Sequence, residues 1–108
     1  MKTVSIVLLG LACLGAGPTQ ASYALADKNG CTSCHDLDER KLGPPFRQVN
    51  RRYAMEPEAL VYLKGKVRSG SREVWGRAPM PPYGEDRVSE ADLEAILRWV
   101  LRLHLAPE

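Results

Sequence analysis

Gly30-Cys31-Thr32-Ser33-Cys34-His35 is the stretch on which the reading of this chain turns. Two thiols one helical turn apart can add to the two vinyl groups of a single porphyrin, and the adjacent His35 is then directed at the iron. This is the spacing of c-type haem attachment, so Cys31 and Cys34 are candidate covalent anchors of one haem c and His35 is a candidate iron ligand. Two rival chemistries use similar clusters. A closed zinc site needs four ligands, and past the N-terminal leader only His104 could join Cys31, Cys34 and His35. A thioredoxin-like redox pair wants a strand before the motif and a helix after it, and no βαβ pattern surrounds these residues.

Upstream of the motif the chain reads as an export leader. Met1-Lys2-Thr3 gives a positive start, and Val4 to Leu14 is an apolar run with the layout of a secretory signal. The run is shorter than the roughly 20 residues that cross a bilayer, so no stable membrane insertion is expected. Gly15-Ala16-Gly17-Pro18 breaks it, and Thr19-Gln20-Ala21 supplies small residues for cleavage after Ala21, with Ala26 as the alternative site. Residues 1–21 are thus expected to be a removed signal peptide and 22–108 the working domain, placed in the periplasm. Cys13 would be a lipoprotein acceptor only if Gly10 could replace the large aliphatic residue usual three positions earlier.

The remaining domain is small for a core of its own. With one Phe and two Trp in 108 residues, it invites a permanent apolar filler, which a covalent haem would be. Helices are predicted over Tyr23 to Asn29, Phe46 to Ala54, Glu58 to Ser69, and from Ser89 onward. In the last of these Leu93, Ile96, Val100 and Leu103 form one stripe, widened by Leu97 and Trp99. Ser89-Glu90-Ala91-Asp92 resembles a capping box with Asp for Glu. No segment alternates with period two for long, so the class is all-α.

Between Gly70 and Ser89 runs a segment broken by Pro79, Pro81, Pro82, Gly76 and Gly84. A structureless stretch of that length in a small domain is usually functional. Met80 lies near its centre, where the prolines reduce the freedom lost on pinning it. It is the candidate second iron ligand. Met55, at the end of a predicted helix, reads as a gap-filling or surface residue. A His/Met pair favours reversible electron transfer and a raised potential, because the soft thioether prefers ferrous iron.

These motifs in order, Gly30 to His35, Leu42-Gly43-Pro44, Gly70-Ser71 with Val74-Trp75-Gly76, and Pro79-Met80-Pro81-Pro82, resemble the small bacterial class I cytochromes c of the cytochrome c-551 type. Leu97 to Leu101 is similar to that family's closing helix. The resemblance covers the whole domain and implies the class I cytochrome c fold, three to five helices around one haem. It also implies that the Pro44 carbonyl accepts a hydrogen bond from His35, that the Trp75 indole donates to a haem propionate, and that Lys66 lies near the propionates. Pro45-Phe46 departs from the family pattern, and Tyr83 to Arg87 is longer than typical.

The net charge of +2 excludes the strongly basic balance of a nucleic-acid protein. It hides an asymmetry: residues 22–39 sum to −3, 40–77 to +7 and 78–108 to −3. Arg47, Arg51, Arg52, Lys64, Lys66, Arg68 and Arg72 are expected to edge the haem rim and steer acidic partners. His104 reads as an exposed helix histidine and not an iron ligand. The expectation is a monomeric, non-enzymatic shuttle between membrane and periplasmic redox enzymes. A haem subunit of a larger reductase or oxidase, and a gas-binding protein with labile methionine ligation, stay open.

Overall fold

The computed structural model describes residues 2–10 and 18–105. Cys13 lies outside the described residues, as do the side chains around the expected cleavage point at Ala21. Val4 and Ile6 to Leu9 are irregular and at least 77% exposed. The rest is all-α: α1 (Pro18–Lys28), a 3-10 turn (Cys31–Ser33), α2 (Phe46–Tyr53), α3 (Ala59–Ser69), α4 (Glu90–Val100) and a second 3-10 turn (Leu103–Leu105). None of the described residues forms a strand, and no described helix is long and apolar enough to cross a membrane.

Three local outcomes differ from expectation. Helix α1 begins at Pro18, not Tyr23. Proline lacks an N–H that the first helical position would leave unpaired anyway, so Pro18 opens a helix as readily as it ends one. Helix α4 stops at Val100, and Leu103 reaches the core through the second 3-10 turn, where it is 1% exposed. At the start of α4 only half of the capping box forms. Ser89 Oγ accepts from the Asp92 amide at 3.1 Å, whereas the Asp92 carboxylate accepts from Asn29 Nδ2 at 3.3 Å. The side chain expected to close its own helix therefore ties α4 to the end of α1.

The predicted α4 stripe is buried along its length: Leu93, Ile96, Leu97, Trp99 and Val100 all belong to the core. Helices α1 and α3 pack on it. Trp99 is the centre of an aromatic cluster, meeting Tyr23 edge-on at 6.0 Å and Phe46 edge-on at 5.3 Å between ring centroids. Asn50, in α2, is the buried polar side chain of this core among the described residues. Its Nδ2 donates to the Val100 carbonyl at 2.9 Å and to His104 Nδ1 at 3.0 Å. That pair of bonds fastens the second 3-10 turn over α2, and His104 itself stays exposed, as expected.

Candidate haem site

The motif turns sharply because Gly30, at φ 83°, adopts the left-handed conformation that only glycine takes without strain. The His35 amide then bonds to the Cys31 carbonyl at 2.9 Å, and the Gly43 amide to the Cys34 carbonyl at 2.8 Å. The second bond folds the Leu42-Gly43-Pro44 segment back beneath the imidazole. There His35 Nδ1 lies 2.8 Å from the Pro44 carbonyl oxygen. A carbonyl only accepts, so Nδ1 carries the proton and donates, which leaves the Nε2 lone pair free for a metal.

Two further contacts fix the ring. A Cβ on Gly43 would stand 2.5 Å from His35 Cε1, so the glycine is required by close approach of the imidazole. Phe46, buried, stacks on the other part of the ring with centroids 5.4 Å apart and planes at 20°. The departure at Pro45-Phe46 thus places an aromatic support against His35. Burial pushes the imidazole below its ordinary pKa, and the Pro44 bond opposes that shift. Burial also raises the Cys31 thiol above its usual range, the reverse of the activated thiolate that a redox pair needs.

The methionine segment is stitched by backbone. Ser71 and Met80 exchange two amide-to-carbonyl bonds, of 3.0 and 2.8 Å, and the Tyr83 amide bonds to Val67 at the end of α3 at 2.8 Å. Gly70, at φ 80°, lets the chain leave α3, and a Cβ there would meet the Met80 carbonyl at 2.8 Å. The Gly70-Ser71 motif is therefore the seat on which Met80 is held. Met55, by contrast, is 87% exposed.

These parts converge on a cavity of about 400 Å³. Cys31, Cys34, His35, Trp75, Lys66 and Met80 all line it, and Leu63, Ile96 and Val100 contribute to its apolar wall. A porphyrin is a flat apolar group with two polar tails, and the donor set is two thiols, an imidazole and a thioether in an apolar hollow. The residues fit haem. They do not fit zinc: among the described residues no three His, Cys, Asp or Glu side chains group as ligands, and His104 is engaged with Asn50. Trp75 is half-buried at the wall, and Lys66 holds its ammonium 5.3 Å from the Tyr62 ring centroid.

The expected basic rim is partly consumed by ion pairs. Arg47 meets Asp38 at 2.8 Å, Lys64 meets Glu90 at 2.7 Å and Glu94 at 3.1 Å, and Arg68 meets Glu90 at 3.1 Å. Arg68 also donates to the Tyr83 and Val88 carbonyls, at 3.2 and 2.7 Å. Three of the seven residues are thereby structural ties. Arg51, Arg52, Lys66 and Arg72 form no ion pair within the described residues.

Comparison with known proteins agrees with this geometry. The sequence matches the Cytochrome c family over residues 20–104. It is 42% identical over 92 residues to cytochrome c-552 of Nitrosomonas europaea, covering 85% of this chain and 87% of that one. It is 37% identical over 102 residues to cytochrome c-552 of Hydrogenobacter thermophilus, covering 94% and 97% respectively. The crystal structure of the wild-type N. europaea protein superposes with a TM-score of 0.68 at 41% identity, over 75% of this chain and 98% of that one. Motif, fold and relatives agree: the chain belongs to the cytochrome c family, the small class I haem c proteins of electron transport.

Proposed function

We propose that the protein is a periplasmic carrier of single electrons, monomeric and without an enzymatic activity of its own. One haem c would be attached through Cys31 and Cys34, with His35 and Met80 as axial ligands. When bound, the haem supplies reversible one-electron exchange at iron. The chain's part is to hold the imidazole, hold the thioether, exclude water and present one edge to partners. The observation that carries this reading is that a Nδ1-anchored His35 and a backbone-pinned Met80 line the same apolar cavity as both thiols. Pro44 would set the basicity of His35 through its carbonyl, while Trp75 and Lys66 would face the propionates. Export through residues 1–21 is supported by the leader's layout and by the exposure of its described apolar residues. Membrane and periplasmic redox enzymes would be the donors and acceptors.

Met80→Ala tests the ligation. The variant should lose the ferric sulfur-to-iron charge-transfer band and show a lower reduction potential, whereas Met55→Ala should change neither. Carbon monoxide added to the reduced wild-type protein should act slowly and incompletely. A prompt, full spectral change would sink the carrier reading in favour of gas binding.

A further inference from the structure

Two arginines from separate parts of the chain converge on Trp75. Arg40, in the loop after the haem motif, donates through Nη2 to the Trp75 carbonyl. Arg52, in the last turn of α2, donates through Nη1 to the Val74 carbonyl at 3.4 Å, and its guanidinium carbon lies 4.6 Å from the indole centroid. The backbone they grip has unusual dihedrals. Glu73 has φ 57° and Gly76 has φ 128°, and a non-glycine residue at positive φ is uncommon. A Cβ on Gly76 would sit 3.0 Å from Arg40 Nη2. The glycine of Val74-Trp75-Gly76 thus makes room for the Arg40 guanidinium.

Neither arginine pairs with a carboxylate among the described residues. Every ion pair among the described residues involves other cations. Two positive charges therefore stand beside a residue of the cavity wall without a carboxylate of the described residues paired to them. Arginine suits both tasks, because its planar fork can donate to carbonyls and lie flat on an indole while its charge never titrates away.

We propose that Arg40 and Arg52 are positioning residues that clamp Val74 to Gly76, so that Trp75 keeps its place in the cavity wall, and that their positive charge favours the reduced haem. The proposal rests on the carrier reading given above. Reduction adds one electron, delivered by the redox partner, to the bound haem, with no protein bond made or broken. A nearby cation stabilises the more negative state, so each arginine raises the potential. Both side chains are exposed, and salt should weaken the effect.

The test uses the haem-loaded chain and the variants Arg40→Gln, Arg52→Gln, Arg52→Lys and the double glutamine variant. Potentials are read by voltammetry at low and high salt, and backbone order parameters of residues 73–76 are measured by NMR on the reduced protein. Each glutamine variant should lower the potential and the double variant should lower it most, with the differences shrinking at high salt. Arg52→Lys should keep the potential but lower the order parameters of the clamped backbone, through loss of stacking on the indole. Equal potential loss in Arg52→Lys and Arg52→Gln would overturn the charge assignment, and unchanged order parameters in all variants would overturn the clamp. A wild-type protein isolated without haem would overturn the carrier reading, and the potential half of the proposal with it. The order parameters would still decide the clamp.

Discussion

His35 is fixed from three sides, by the Pro44 carbonyl, by the bare Cα of Gly43 and by the Phe46 ring. Gly43→Ala should displace the imidazole from Pro44, because packed surroundings do not yield to an added methyl without strain. A loss of about 1–3 kcal/mol is expected, read from denaturant midpoints, together with an altered iron-ligand spectrum. Asn50 offers a second test. Asn50→Ala removes the donor to the buried Val100 carbonyl and should cost about 1–3 kcal/mol, with the residues after Val100 exchanging faster. The thiols, imidazole and thioether that line the cavity are legible in the sequence because haem attachment demands those types at that spacing. Asn50 could not: an asparagine before Arg51 and Arg52 looks solvent-facing, and its partners lie 50 and 54 positions away. Phe46 gave a signal only as a departure from the family pattern.

Helices α3 and α4 are joined across their exposed faces by charge. Glu90 is held below the usual carboxylate range first by Lys64 and then by Arg68, and Glu94 first by Arg98 and then by Lys64. Their contribution is complete above the unfolded carboxylate pKa near 4.3 and is lost as pH falls through the depressed folded values. Lys64 is raised by the same partners, and its contribution is lost only as pH climbs through its folded value. Stability should therefore fall on acidification between about pH 5 and about pH 3. A Glu90→Gln, Glu94→Gln double variant should show a shallower fall in denaturant midpoint over that range. All the groups are at least partly exposed, so added salt should reduce the difference. The helices are legible from apolar spacing, with α2 and α3 bounded to within a residue, whereas the start of α1 and the end of α4 are not. Pro18 reads as a breaker but opens α1, and Asp92 reads as a cap of its own helix because its actual partner, Asn29, lies 63 residues away.

Across the whole molecule, the basic middle of the sequence does not survive as one basic surface. Arg47, Lys64 and Arg68 are spent on carboxylates brought near by folding, which a charge count along the chain cannot foresee. The residual set of Arg51, Arg52, Lys66 and Arg72 predicts weaker steering than the full set would. Electron-transfer rates to an acidic partner should fall as ionic strength rises, and Arg72→Gln should flatten that dependence while Arg47→Gln should not. Stopped-flow mixing at several salt concentrations checks this, and rates independent of salt would remove the steering role. The interior, by contrast, was foreseen from scarcity: a chain with one Phe and two Trp folds around a hollow of about 400 Å³.

The paired backbone bonds between Ser71 and Met80 bear on speed as well as on structure. Under the proposed ligation, an electron arriving at iron finds a sulfur whose main chain is already tied at both its amide and its carbonyl. Little nuclear rearrangement is then needed between the two oxidation states, as in other sites organised before the event they serve. A low reorganisation energy of this kind would let the protein exchange electrons quickly in both directions, and would make the rate of self-exchange between two copies a measure of how well one small ring of backbone keeps its shape.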